Sequence, residues 1–346
     1  MDKHGGNIYD KTIEYDFSSN INPFGIPDEV KKDIRDSIYL CEKYPDDKCI
    51  ELQREIADFE SLEPENIICG NGAIDIIYKA VNFLKPEKAL IATPCFSEYE
   101  KALRESGSEV CFYERKSSEE GFFIGEDFLD RIRGMDLIIL CQPNNPTGEI
   151  ISDNLLGKVI KKASEEKSFL IIDECFMDFV EEKEKHSCKR YMNDSMLIIK
   201  AFTKIFGMPG IRLGYGLSNN VKLINALEEF GPAWSVSSTA NVAGVSVLKY
   251  VKNNEKYLSE LTRYIKEEKI YLSDEIRKTG IEVFDSEANF LLLYSEKNLY
   301  EELLEKQILI RDCSNFRGLK NGFYRIAVRT HRENQALISA LRKVVL

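Results

Sequence analysis

The sequence predicts an α/β protein, in which a large domain around a central, mainly parallel mixed sheet is followed by a smaller α+β domain. Apolar runs of four or five residues alternate with amphipathic stretches of ten to fifteen, the pattern of strands joined by crossover helices. The 346 residues leave room for about two domains at roughly 150 residues each. Beyond about residue 236 the texture changes to a long charged helical pattern and short strands.

The first 45 or so residues fit neither domain. Asn20-Ile-Asn-Pro23 and Phe24-Gly25-Ile-Pro27 form turns, so residues 1–45 read as an extended arm ending in a short helix near 27–39. In the large domain, residues 46–236, Ile67–Cys69 is the first strand, and Ile74, Ile77, Tyr78, Val81 and Leu84 then recur at helical spacing. Strands follow at Ala89–Ala92, Val110–Tyr113, Leu137–Cys141, Phe169–Ile172, Met196–Lys200 and Leu213–Gly216. In the small domain, residues 237–346, a helix over roughly 253–279 precedes strands at Glu282–Phe284, Phe290–Leu293 and Phe323–Val328 and a helix from about 332.

Composition narrows the partners. With 47 basic against 58 acidic residues the formal charge is −11, which gives no footprint for nucleic acid or anionic lipid. No apolar stretch is long enough for a membrane span and no signal-peptide core opens the sequence, so a cytoplasmic protein is expected. The nine cysteines are odd in number and scattered, often inside apolar strands, as reduced core thiols are. Neither they nor the three histidines have the spacing of a metal site, and none is expected.

Four segments place a polar group at the C-terminal end of a predicted strand, where open α/β sheets bind ligands. Gly70-Asn71-Gly72-Ala73 runs from a strand into a helix and suits a phosphate, or is a plain left-handed turn. Asp75 and the missing Gly-Lys-Ser/Thr fit neither a dinucleotide fingerprint nor a P-loop. Gln142-Pro143-Asn144-Asn145-Pro146-Thr147-Gly148 is a turn able to aim an amide. Asp173 ends an apolar strand, where a carboxylate needs a partner or a cation unless it caps a helix. Lys204 opens a polar loop after Thr203 and eight residues before Arg212, with Lys200, inside the strand run, as its rival.

Phosphate turn, amide, carboxylate, amine and arginine together are what pyridoxal 5′-phosphate requires. The amine attaches the cofactor covalently, the acid keeps the ring nitrogen protonated, the amide bonds the 3′ oxygen, and the turn and arginine neutralise the phosphate.

These segments closely resemble fold-type I pyridoxal-phosphate enzymes of the aspartate aminotransferase superfamily. The branch is the one that contains histidinol-phosphate aminotransferases and L-threonine-O-3-phosphate decarboxylases, and the resemblance covers nearly the whole chain. Three features favour its decarboxylase side. His4-Gly-Gly-Asn-Ile-Tyr9 with Phe17-Ser-Ser-Asn20-Ile-Asn-Pro23 is similar to the decarboxylase arm. Phe176 stands where the aminotransferases usually have Tyr. Arg311-Asp-Cys-Ser-Asn315 and Phe323-Tyr-Arg325-Ile-Ala-Val-Arg329 resemble the decarboxylase substrate segment. Two strings depart from that pattern: Ala73-Ile74 replaces Glu-Thr, and Phe206-Gly207-Met208 replaces Tyr-Ala-Ile, nearer to aminotransferase usage.

The resemblance implies roles. Lys204 carries the cofactor, Asp173 faces its ring nitrogen, Asn145 bonds the 3′ oxygen and Phe96 stacks on the ring. Gly72, Ala73, Thr203 and Arg212 hold its phosphate, with Tyr44 reaching over from the second subunit of a homodimer. His4, Asn20, Arg311 and Arg325 bind a small phosphorylated amino acid. The implied reaction is decarboxylation of L-threonine O-3-phosphate to (R)-1-amino-2-propanol O-2-phosphate, for the cobalamin nucleotide loop. L-Serine O-phosphate differs by one methyl, worth about 1–3 kcal/mol. Histidinol-phosphate transamination is the alternative reaction. A nicotinamide oxidoreductase would share the sheet, but Asp75 and Lys204 count against it, and a non-catalytic protein would not need the four cofactor groups.

Overall fold

The computed structural model describes residues 4–118 and 121–345, so the first three residues of the predicted arm lie outside the described residues. Seven strands build the larger sheet: β1 (Ile67–Gly70), β2 (Lys88–Thr93), β3 (Glu109–Glu114), β4 (Leu137–Cys141), β5 (Phe169–Asp173), β6 (Met196–Ala201) and β7 (Gly214–Leu217). Their order across the sheet is β1-β7-β6-β5-β4-β2-β3. The pairs from β6 through to β3 are parallel, while β7 runs antiparallel to both β1 and β6, so the sheet is mixed as expected. Every residue of β4 and β6 is buried, because helices cover both faces of a parallel sheet and leave no strand face for polar side chains.

The second sheet has four antiparallel strands in the order β8-β9-β11-β10, where β8 is Glu282–Val283, β9 Phe290–Tyr294, β10 Arg311–Asp312 and β11 Phe323–Ala327. The helical stretch after residue 236 is two helices, Ser238–Asn253 and Tyr257–Arg277, and sequence periodicity caught only the second. The first is rich in small residues, and Gly244 sits so close to Leu52 and Leu213 that a Cβ there would lie 2.6 Å from each. The antiparallel pair Lys116–Ser118 and Gly121–Phe123 and strands of two residues, such as Ile308–Leu309, are too short to show a period.

The segment before helix Asp28–Asp36 contains turns and one short strand, Tyr15–Asp16. Tyr15–Asp16 pairs in parallel with Ile308–Leu309, and the Phe17 carbonyl accepts from Ala327 N–H at 2.8 Å. Asn22 N–H donates to the Lys204 carbonyl at 2.9 Å, while its side-chain amide donates to the Ile205 carbonyl at 2.9 Å. The arm therefore ties the smaller sheet to the turn that carries Lys204. Among the described residues no helix is long and apolar enough to cross a membrane.

Candidate active site

The groups of interest leave the C-terminal ends of adjacent strands. After β1 the chain turns at Gly72, whose φ of +84° is a conformation only glycine adopts freely, and enters helix Ala73–Leu84. A Cβ on Gly72 would fall 2.5 Å from Arg212 Nη2, so the first N–H groups of this helix and the guanidinium form one concave cationic cradle. Antiparallel β7 supplies its other wall: a Cβ on Gly214 would lie 2.3 Å from Ala73 N. Thr203 is buried on the short helix Phe202–Ile205, one residue before Lys204.

Asp173 ends β5 and is buried. Its Oδ2 accepts from the Tyr99 hydroxyl at 2.5 Å and its Oδ1 from Cys175 N–H at 2.9 Å. Phe96 lies just before helix Ser97–Glu105, and its ring packs edge-on against Tyr99, with centroids 5.6 Å apart at 85°. Asn145, in the loop after β4, accepts on Oδ1 from Arg325 Nη1 at 2.5 Å. The Lys204 amine sits 5.6 Å from the centre of the Phe176 ring.

The two candidate lysines have opposite surroundings. Lys200 is buried in β6, and its amine donates to Glu60 Oε1 at 2.8 Å and to Asp178 Oδ1 at 3.2 Å. Burial alone would lower its pKa, but the Asp178 and Glu60 carboxylates outweigh this and hold it above the usual lysine range. Lys204 has no such carboxylate contact: burial, reinforced by the Arg325 and Arg212 cations, brings it down to about 8. A lysine locked as an ammonium cannot attack a carbonyl, and one poised near neutrality can. The rate at which apoprotein captures pyridoxal phosphate, followed by absorbance, should therefore rise with pH and level off above about 8.

Lys200 belongs to the fold. Lys200→Met would leave two carboxylates buried without their shared cation, at a cost of about 3–5 kcal/mol, readable by urea denaturation. In Asp178, burial raises the pKa but Lys200 and then Lys183 outweigh it and hold the carboxyl well below its usual range; Lys200 does the same for Glu60 against a similar burial effect. Depressed carboxylates stabilise the fold above the unfolded value of about 4 and lose that contribution as pH falls through their folded values. Wild-type stability should thus drop in acid below about pH 4, and Lys200→Met should flatten that slope.

In the smaller sheet, Arg311 of β10 and Arg325 of β11 stand directly opposite each other in register, and both are buried. Arg311 donates to the Asp312 carbonyl at 2.5 Å and to Asn315 Oδ1 at 2.8 Å; Arg325 also donates to the Ser18 carbonyl at 2.8 Å. Asn20 is 2% exposed, and neither atom of its amide has a hydrogen-bond partner. His4 lines one cavity with Ser18 and Arg311, its Nε2 lies 3.1 Å from Glu98, and its ring centre is 5.8 Å from that of Phe96. Tyr44 stands apart: it is 80% exposed and stacks on Trp234.

Sequence reasoning passed over three contributors. Tyr99 carries a readable signal, one helical turn beyond Phe96, whereas the Ser18 carbonyl is backbone and shows none. Arg317 binds Glu100 with two donors, at 2.8 and 3.1 Å, and so fastens the loop after β10 to the helix that begins beside Phe96.

A mixed, mainly parallel sheet that brings an amine, a carboxylate, an amide and a guanidinium-lined glycine turn to one edge defines the class of fold-type I pyridoxal-phosphate enzymes. The sequence model for class I and II aminotransferases matches residues 12–341. The chain belongs to that family, and its cofactor is pyridoxal 5′-phosphate. A protein of Caldanaerobacter subterraneus subsp. tengcongensis, provisionally named a threonine-phosphate decarboxylase, is 38% identical over 98% of this chain and 93% of its own length. The threonine-phosphate decarboxylase of Salmonella typhimurium is 31% identical over 99% of this chain and 96% of its own. The solved histidinol-phosphate aminotransferase of Clostridium acetobutylicum is 34% identical and superposes with a TM-score of 0.87, covering 95% of this chain and 98% of that one.

Proposed function

We propose that this chain decarboxylates L-threonine O-3-phosphate, releasing carbon dioxide and (R)-1-amino-2-propanol O-2-phosphate for the nucleotide loop of cobalamin. The carrying observation is the arm: it brings His4 both to Phe96 and to the cavity that Arg311 lines, so cofactor-side and substrate-side groups meet under one segment. The full-length similarity to threonine-phosphate decarboxylases supports the same reading.

In this reading Gly72, Ala73, Thr203 and Arg212 hold the cofactor phosphate, Asp173 faces the ring nitrogen, Asn145 the 3′ oxygen and Phe96 the ring face. When bound, pyridoxal phosphate accepts the electron pair of a bond broken at Cα. The residues decide which bond that is, because only the bond held perpendicular to the ring breaks. Arg311 and Arg325 clamp the substrate phosphate, bidentate pairs fixing direction as well as distance. His4 and Asn20 close over the substrate, with the Asn20 amide offering both a donor and an acceptor. The Lys204 amine then returns a proton to Cα.

The Clostridium similarity favours a second reading, transamination of histidinol phosphate. Purified protein incubated with phosphothreonine, phosphoserine, or histidinol phosphate plus 2-oxoglutarate separates the two. Carbon dioxide from the first supports decarboxylation; glutamate from the last, without carbon dioxide from either phosphoamino acid, rejects it. Carbon dioxide from phosphoserine alone assigns the smaller substrate.

The finer assignment is a cytoplasmic homodimer with shared sites, in which the exposed Tyr44 serves the partner's cofactor phosphate. Mixed Tyr44→Phe and Lys204→Ala subunits should regain activity through hybrid sites. Exchanged subunits no more active than their parents would show that each site is built from one chain.

A further inference from the structure

Asp173 is a buried carboxylate whose hydrogen bonds come from neutral groups. A charge taken out of water costs several kcal/mol unless fixed donors replace the lost solvent. Here two neutral donors do so, Cys175 N–H on one oxygen and the Tyr99 hydroxyl on the other. They differ in kind. The Cys175 bond is local backbone, two residues away on the same turn. The Tyr99 bond crosses 74 positions of sequence and couples the carboxylate to the helix that starts beside Phe96.

We propose that Tyr99 is a positioning residue for the cofactor: its hydroxyl fixes the direction of the Asp173 carboxylate toward the ring nitrogen, while its ring buttresses Phe96 on the ring face. The proposal rests on the assignment of Asp173 to that nitrogen. The side chain is built for the task. Tyr99 is fully buried, so its hydroxyl cannot trade Asp173 for water, and its edge-on contact with Phe96 restrains the ring that aims the hydroxyl. Burial and then the Asp173 charge raise the phenol well above its ordinary range, so it remains a proton donor throughout the working pH range. The other titratable groups facing this pair are the Cys141 and Cys175 thiols and the Lys204 amine. Both thiols are raised, by burial first and the Asp173 carboxylate next, so neither supplies a competing charge near neutrality.

Tyr99→Phe tests this, since it keeps the ring and the contact with Phe96 and deletes only the hydroxyl. The dissociation constant of pyridoxal phosphate, measured by equilibrium dialysis, should rise about 10- to 100-fold, the range for losing a hydrogen bond to a charged group. The ratio of the bound cofactor's near-ultraviolet and visible absorbance bands should change with it. In an Asp173→Asn background the same substitution should have less than about a threefold effect, because the charge it serves is gone. Tyr99→Phe with unchanged affinity and spectrum overturns the proposal. An equal loss in both backgrounds, with a matching fall in apoprotein melting temperature, also overturns it by assigning Tyr99 to packing. Should Asp173→Asn alone leave affinity and spectrum untouched, it is the assignment of Asp173 that fails.

Discussion

Replacing Lys204 by alanine should lower turnover by about 10⁴-fold or more. Positioned acid–base groups alone contribute up to about that factor, and this amine also attaches the cofactor. The structure supplies the reason for the size of the effect. Burial and two nearby guanidinium groups bring Lys204 to about 8, whereas the rival Lys200 is held by two carboxylates. Borohydride reduction of wild-type protein followed by peptide mapping should find the pyridoxyl group on Lys204. Label on Lys200 would reverse the assignment.

Arg311→Ala should cut kcat/KM for phosphothreonine about 10- to 150-fold, the loss expected for one charge-assisted contact of about 1.5–3 kcal/mol. Cofactor absorbance should stay intact, because Arg311 sits on the smaller sheet, bonded to the Asp312 carbonyl and to Asn315. Arg325→Ala should be the less selective change. Its guanidinium also donates to Asn145, so its removal frees the amide assigned to the cofactor's 3′ oxygen and should move the cofactor spectrum as well. In single-turnover experiments Arg311→Ala should raise pyridoxamine phosphate formed per carbon dioxide released, since a substrate held by one arginine turns its Cα–H perpendicular to the ring more often. An unchanged ratio would show that the phosphate clamp does not direct bond choice.

The residues assigned to the cofactor were legible because they punctuate strands. Asp173 follows four apolar residues and Gly72 falls between a strand and a helix, so each polar group stands out against its surroundings. The sequence favours Lys204 over Lys200 only because Lys204 opens a polar loop while Lys200 lies inside the strand run. Both follow the apolar run Met196-Leu-Ile-Ile199, and the difference between them lies in Glu60 and Asp178, one of them 140 positions away. Tyr99 was hidden for a related reason: its motif was read for the ring at Phe96, and a tyrosine on an amphipathic helix looks like core until its hydroxyl is seen to reach β5.

The sequence by itself determined the α/β class, the order of the seven main strands along the chain and the chemical types that gather at their ends. Those properties follow from local periodicity and from the steric demands of single turns. Tertiary structure decided that two carboxylates hold Lys200 and none holds Lys204, since a pKa depends on the charges and the water around the amine and not on its neighbours in sequence. It also decided that Arg311 and Arg325 form a pair, because antiparallel register places residues 14 positions apart directly opposite each other. The roof over the site has the same origin. The arm closes there because Tyr15–Asp16 adds to a strand near residue 308, and such pairing is made by backbone groups that every residue carries alike.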